Sequence, residues 1–197
     1  MAYLLEPNQY KWIQAAGAHP ELLRKQINGV PLQQVDIPTE TVLKGRLKLP
    51  DICSAGDAFR FVSDQGKVVL EELVPGCVSF FPLAIKATDL LLAGRRFFFI
   101  DVLPRGQLID WDRSSTDLRD DRTKDGREVR FLRGLMTDPI TKYKSVTLST
   151  PPIWREIDVD GAAAQFIANK KHILLRDEVW EALNVKFPGQ LVPRRLV

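Results

Sequence analysis

Two segments of this 197-residue chain carry the same order of local signals, and that order restricts the fold more than any other feature. In residues 61–76, an apolar run is followed by Ser63-Asp64, by apolar residues at helical spacing and by Pro-Gly. Residues 174–189 repeat the order, with Asp177 in the capping place. Ser and Asp are preferred N-cap residues, and Pro or Gly ends a helix. The pattern predicts two strand–helix units, and shared capping chemistry explains their likeness better than an internal duplication does.

The remaining patterns predict short strands and few helices. Pro20 opens a helix that Asn28-Gly29 ends. Pro82 indicates an edge strand or the end of a strand, because proline cannot donate to a sheet. The run Phe97–Ile100 is typical of a strand that is buried on both faces. Strands are predicted over 2–6, 41–44, 77–83, 97–103, 145–149, 173–175 and 191–192, and helices over 21–27 and 162–168.

These elements predict an α+β fold with one domain. We expect a mixed, mostly antiparallel sheet, a few packed helices and a charged loop or hairpin that protrudes. Residues 1–50 are expected to form a strand and helix extension on an α+β domain over 51–197, with both parts in one compact unit. A chain of this length buries about 70% of its unfolded surface, so its core needs no disulfide or metal.

Composition excludes several classes of protein. The longest apolar runs are far shorter than the roughly 20 residues of a membrane span, and the first residues lack the pattern of a secretory signal. The net charge of +3 does not indicate a nucleic-acid or membrane partner. The two cysteines, Cys53 and Cys77, are expected to be buried free thiols. We therefore expect a soluble cytoplasmic protein that binds neither nucleic acid nor membrane.

Residue patterns for catalysis, metals and cofactors are missing from the sequence. The two histidines, His19 and His172, lie far apart, and no phosphate-binding glycine motif occurs. Residues 121–126 resemble a calcium loop, but Leu132 stands where its bidentate Glu is needed. We expect no catalytic residue, no metal and no cofactor. A small-molecule enzyme with a polar pocket beside a histidine, or a general scaffold or regulator, stays an alternative.

Residues 110–130 are different in kind from the rest of the chain. They hold seven acidic and six basic residues, a mixture typical of a solvated loop or an exposed hairpin. Trp111 lies between two aspartates, and Trp154 precedes an arginine, whereas Trp180 fits a helix core face. Aromatic and charged residues at an exposed rim are the types that anchor protein interfaces. The segment is therefore the best candidate for a binding surface.

Several segments resemble one family, the bacterial immunity proteins of polymorphic toxin systems. The similarity is to the eleventh family of the usual catalogue, which a myxobacterial protein typifies and which was formerly a domain of unknown function. The segments that carry it are Tyr3–Pro7, Val62–Asp64 with Val69–Leu73, Val78–Leu83, Phe97–Leu103, Leu108–Ser114 and Leu174–Leu183.

This resemblance implies a protein that binds and blocks one cognate toxin, of the kind delivered in bacterial competition by type VI secretion. It implies no catalytic residue and no particular oligomeric state. Since no export signal is apparent, we expect a toxin that acts in the cytoplasm, such as a nuclease. Acidic residues would complement the basic substrate groove of a nuclease. The predicted partner-binding residues are Asp110, Trp111, Asp112, Asp117, Asp120, Asp121 and Asp125.

Overall fold

The computed structural model describes residues 1–8, 14–15, 20–44, 48–55, 59–120, 128–132, 141–157, 162–163 and 172–196. The strands are β1 (Ala2–Leu4), β2 (Gln14–Ala15), β3 (Thr41–Lys44), β4 (Ile52–Ala55), β5 (Phe59–Ser63), β6 (Val78–Leu83), β7 (Ile85–Lys86), β8 (Phe97–Val102), β9 (Arg105–Gly106), β10 (Thr116–Asp120), β11 (Glu128–Leu132), β12 (Ile153–Glu156), β13 (Ala162–Ala163), β14 (Leu174–Arg176) and β15 (Arg195–Leu196). The helices are α1 (Pro20–Ile27), α2 (Asp64–Leu73), α3 (Asp89–Leu92) and α4 (Asp177–Lys186), with a 3-10 turn over Gln34–Asp36.

The α+β class and the mostly antiparallel pairing are confirmed. One sheet has the order β4-β5-β8-β6, and a second has the order β15-β1-β14-β12-β9. Two smaller sheets have the orders β2-β3-β7 and β10-β11-β13. The predicted strands are thus distributed over several sheets. Strand β1 lies inside the five-stranded sheet, between β14 and β15, so the first residues of the chain form part of the fold.

The four-stranded sheet has β8 in its interior and β6 at an edge. Each β8 residue from Phe99 to Val102 is buried, as the apolar run predicts. The Leu103 N–H donates to the Cys77 carbonyl at 2.9 Å. Because hydrogen-bonded and non-bonded pairs alternate along antiparallel strands, Pro82 falls at a position that faces the outer edge. The missing N–H of Pro82 therefore costs no ladder bond, and its predicted edge place is confirmed.

The first strand–helix unit forms as the sequence predicts. Ser63 is the N-cap of α2, and its hydroxyl accepts a hydrogen bond from Gly66 N–H at 3.1 Å. Val69 and Leu70 are buried, whereas Val68 is exposed. The buried face of α2 therefore lacks one of the apolar residues that the sequence predicts for it. The helix ends before Gly76, which has a φ of +71° that favours glycine.

The second unit differs at its cap and agrees at its exit. Arg176 is the N-cap of α4 and makes no side-chain cap bond, so Asp177, predicted as the cap, is instead the first helical residue. Its negative charge still suits the positive end of the helix dipole. Phe187 ends the helix with a bond to Leu183, and Gly189 has a φ of +74°. Helices α2 and α4 contact each other, so the two units pack together.

Four apolar clusters occur among the described residues, and the three larger ones hold these elements together. The largest contains Val69 and Leu70 of α2, Ile100 of β8, and Val179 and Leu183 of α4. A second cluster is rich in phenylalanine and contains residues of α1, β3, β5 and β8. A third packs the fully buried Trp154 against β1 and β15. Apolar surface buried from separate sheets is the main favourable contribution to such a fold.

Several predictions over residues 145–196 are wrong. Residues 145–149 form no strand, because Thr147 and Ser149 bond to each other and Thr150 N–H bonds back to the Thr147 carbonyl. The strand is β12, directly after the two prolines. Residues 162–163 are a strand where a helix was expected, and 164–168 lie outside the described residues. Leu191 makes only an isolated bridge to Pro7, and the closing strand is β15.

Candidate protein-binding surface

The charged segment forms an antiparallel hairpin from β10 and β11. Thr116 pairs with Leu132, and the register continues to Asp120 opposite Glu128. Strand β13 adds to β11 in parallel and completes a small sheet apart from the two large ones. A hairpin is one of the two predicted forms of this segment. Its pairing sets Asp117 and Asp120 on one strand, at defined backbone positions.

The chain enters this hairpin through a tight turn over residues 110–114. The Asp110 carbonyl accepts bonds from Ser114 N–H at 3.0 Å and from the Ser114 hydroxyl at 2.6 Å. The Asp110 carboxylate accepts from Arg113 N–H at 3.2 Å. Asp110 N–H donates to the Lys142 carbonyl at 2.9 Å. Asp110, a predicted partner-binding residue, therefore orders the turn.

Trp111, also predicted at the surface, lies in the core. Its side chain is only 7% exposed and packs in a small cluster with Ile109 and Tyr143. Trp154, for which an exposed position was considered, is fully buried as well. Trp180 is half-buried and stacks on Tyr3, with ring centroids 4.5 Å apart, in agreement with a core role. A buried indole supports the turn and offers no ring face to a partner.

The structure describes some of the other predicted acidic residues and not others. Asp112 is exposed on the turn, and Asp117 is half-buried on β10. Asp120 is the last residue of β10, and its backbone pairs with that of Glu128. Asp121 and Asp125 lie outside the described residues. Asp110 and Asp112 thus lie on the turn that leads into the hairpin, and Asp117 lies on the first strand of the hairpin.

A buried carboxylate holds the base of this stretch. Glu156 on β12 is 2% exposed and accepts bonds from Leu108 N–H at 2.9 Å and from the Trp154 indole at 3.1 Å. The Ile109 N–H lies 3.5 Å from the same carboxylate. Burial raises the pKa of Glu156 to about 7, although these hydrogen bonds and the Lys144 charge act in the opposite direction. We call residues 108–114 with Tyr143 and Glu156 the hairpin root.

A second buried charge group lies deeper in the molecule. Asp101 on β8 is 0% exposed and accepts from Leu32 N–H at 3.2 Å, with the Gln26 amide 3.5 Å away. Burial lowers the pKa of Arg155 to about 9, Asp101 raises it, and Arg105 and Arg60 lower it further. Arg155 stays protonated at neutral pH. Because Asp101 and Arg155 are out of reach of solvent, this group serves the fold and contacts no partner.

The sequence pattern contained one signal for this group. Asp101 interrupts an apolar strand that is buried on both sides, and a buried carboxylate requires hydrogen-bond donors or a cation. Nothing local identified its neighbours, because Arg155 and Gln26 come from distant parts of the chain. No sequence pattern pointed to Glu156, because residues 153–156 were not predicted to form a strand.

Metal and thiol chemistry is not evident in the described ranges. They contain no group of three or more His, Cys, Asp or Glu residues that could hold a metal ion. Both cysteines are free, and burial raises the pKa of Cys53 far above its ordinary value. Cys77 is only half-buried, so the expected burial of both thiols is wrong for Cys77. His172 is half-buried, and His19 lies outside the described residues. No described helix is long and apolar enough to cross a membrane.

Two surface clefts are formed entirely by described residues. The larger, of about 520 Å³, lies beside the hairpin root and includes Leu108 and Tyr143 in its lining. The smaller, of about 280 Å³, lies near Arg95 and Phe98. Arg95 there donates to Asp51 at 2.9 Å and lies over the Phe97 ring, so its charge is already used within the fold.

Comparison with known protein families and with curated proteins gives no match to this chain.

Proposed function

We propose that this protein is an immunity protein that binds one cognate secreted toxin and blocks it by forming a tight complex. The observation that carries the proposal is the hairpin β10–β11 on its ordered root, with Asp110, Asp112 and Asp117 close together in the chain. The resemblance of several sequence segments to the toxin-immunity family implies the same function. No bond is made or broken by this protein in the proposed activity.

Such a function requires a preorganised surface. An affinity in the nanomolar range corresponds to roughly −12 kcal/mol and is typically reached with about 800 Å² buried per partner. Side chains and loops that order only on binding reduce that affinity. The hairpin root meets this requirement, because the Glu156 carboxylate and the Lys142 carbonyl hold its backbone before any partner arrives.

The proposed toxin is a nuclease that acts in the cytoplasm, where this protein would also act. A nuclease must present a basic groove to its substrate, so aspartates on the hairpin and its root would complement it in charge. The same complementarity speeds encounter between the two proteins and weakens with salt. We expect a toxin gene to adjoin the gene of this chain, and the product of that gene is the partner to test.

Reversing three hairpin charges tests the proposed surface. We expect the variant with Lys at Asp117, Asp120 and Asp121 to associate with the toxin about ten times more slowly at low salt, because long-range attraction becomes repulsion. The melting temperature should change little. Stopped-flow fluorescence at about 50 mM and 500 mM salt measures the rate, and high salt should reduce the difference.

The matched control carries the same charge change elsewhere. Glu40, Glu72 and Glu181 are exposed acids on other elements, and their triple replacement by Lys should leave the association rate within about twofold. If both triple variants slow association equally, only net charge matters and the hairpin is not the binding surface. Unchanged kinetics for the hairpin variant would likewise show that the toxin binds elsewhere.

A further inference from the structure

The larger cleft lies where β1 and β15, which are neighbours in the five-stranded sheet, meet residues 143–146. Ala2, Leu108 and Leu196 are buried residues that form its floor, and Val146 forms part of one wall. Its volume of about 520 Å³ is within the range of ligand-binding pockets. An apolar floor of this kind favours a side chain without polar groups.

The rim of this cleft is positively charged. Lys144 and Arg195 line it, are exposed, and make no ion pair with any residue that the structure describes. The Met1 ammonium group also lines the cleft, but it pairs with Asp177 at 3.2 Å. No carboxylate belongs to the lining. Among the described residues, the lining thus offers two exposed cations, and an anionic group would complement them. Lys144 also acts electrostatically on the buried Glu156, which lies outside the lining.

The cleft is continuous with the hairpin root. Tyr143 lines the cleft and forms an antiparallel bridge with Ile109. Lys144 N–H donates to the Leu108 carbonyl at 2.8 Å. The backbone of this rim residue is therefore bonded to the segment that leads into the hairpin. A protein that contacts the hairpin root is therefore next to the cleft as well.

An exposed apolar side chain follows the same wall of the cleft. Leu148 is 93% exposed at the tip of a turn over residues 147–150. Thr150 N–H bonds to the Thr147 carbonyl at 3.0 Å, and Arg176 donates to the Leu148 carbonyl at 3.2 Å. A single exposed apolar side chain is ordinary on a protein surface, so Leu148 contributes only its position two residues beyond Val146 of the cleft lining.

We propose that this cleft binds an acidic segment of the partner protein, with an apolar side chain of that segment on the Leu108 floor and its carboxylates beside Lys144 and Arg195. This inference rests on the proposed function, since the partner in the complex is the toxin. The protein then presents a cationic cleft next to the aspartates of the hairpin root, and a toxin must match both. Two matched surfaces explain how one immunity protein discriminates its own toxin from others.

A peptide titration tests the cleft without any toxin. The probe is the acetylated and amidated pentapeptide Asp-Glu-Leu-Glu-Asp, and its neutral control is Asn-Gln-Leu-Gln-Asn. In amide-resolved NMR of the full chain, we expect shifts at Leu108, Lys144, Val146 and Leu196 with the acidic peptide, and at most a tenth of that saturation with the control. Equal shifts with both peptides, or shifts elsewhere only, would overturn the proposal.

The toxin complex provides the second measurement. We expect the double variant K144E/R195E to raise the Kd for the toxin at least about tenfold at low salt. The control K86E/K186E changes two exposed lysines that lie outside the cleft and the hairpin root, and it should alter the Kd less than about threefold. Equal Kd values for K144E/R195E and the wild type would reject the cleft while leaving the proposed function intact. Peptide binding without any toxin binding would reject the proposed function and leave the cleft site.

Self-association is the remaining outcome. Light scattering of the wild type and of K144E/R195E should give one mass, that of a monomer of 22.4 kDa. A wild-type dimer that the double variant dissolves would assign the cleft to a second copy of this chain and would contradict the proposal.

Discussion

Replacing Asp101 with Ala should lower the free energy of unfolding by about 3–5 kcal/mol, the usual cost of removing one partner from a buried charge group. Asp101 accepts from Leu32 N–H and stabilises the charge of Arg155, which is itself buried. Its removal leaves a backbone donor without its acceptor and a cation with less compensating charge. Urea unfolding at neutral pH, followed by fluorescence and circular dichroism, measures the loss.

Two further variants are compared with Asp101→Ala. One removes the charge at this position and keeps the shape of the side chain, and the other removes an exposed acid elsewhere. Asp101→Asn keeps an acceptor for Leu32 N–H but carries no charge, so its loss should lie between zero and that of the Ala variant. Glu21→Ala on α1 removes an exposed acid whose nearest cation, Arg24, is 3.8 Å away, and should change stability by less than about 0.5 kcal/mol. A loss below about 1 kcal/mol for Asp101→Ala would show that this carboxylate does not stabilise the fold.

Glu156 should make stability depend on pH in the direction opposite to an ordinary surface acid. Its pKa rises from 4.5 in the unfolded chain to about 7 in the folded protein. The folded state therefore binds the proton more tightly, and this contribution is fully present below pH 4.5 and is lost as pH rises to about 7. A shift of this size corresponds to about 3 kcal/mol.

The variant Glu156→Gln isolates that contribution from all other titrating groups. Glutamine is neutral throughout, so the wild-type stability minus the variant stability should fall by about 3 kcal/mol between pH 4.5 and pH 8. Urea unfolding of both proteins at intervals of half a pH unit gives the curve. A difference that is flat or that rises with pH would mean that the folded protein does not raise the pKa of Glu156.

Local signals predicted the elements whose structure depends on neighbours in sequence. Ser63 caps α2, Gly76 and Gly189 follow the helices with positive φ, and Pro82 lies on an edge strand. Each of these depends on one backbone preference that no distant contact has to supply. That is why the strand–helix units and the α+β class could be read from the chain alone.

Strand β12 could not be predicted, because its stability depends on distant residues. Arg155 and Glu156 are charged, and a pattern of apolar residues cannot identify a strand that buries both. Their burial is tolerated because Asp101 of β8 and the amides of Leu108 and Ile109 surround them. By contrast, Ser145–Ser149 has β-forming residues but bonds locally and makes a turn.

The secondary structure of the charged segment was predicted in part. The charged residues indicated a solvated loop or an exposed hairpin, and β10 and β11 form a hairpin. The position of Trp111 between two aspartates suggested exposure, but the bridge from Ile109 to Tyr143 closes a core cluster around it. The basic cleft lay outside the prediction, since Ala2, Leu108, Lys144 and Arg195 meet only when the two ends of the chain fold together.

Neutralisation in living cells tests the central claim most directly. The proposal expects a toxin gene beside the gene of this chain. That toxin is expressed in a bacterial host with and without the full chain, and the two proteins are purified together through a tag on the toxin. We predict that growth is restored only when the chain is present and that a stable one-to-one complex is recovered. Growth arrest that persists with the chain present at equal amounts, or rescue without any complex, would contradict the account.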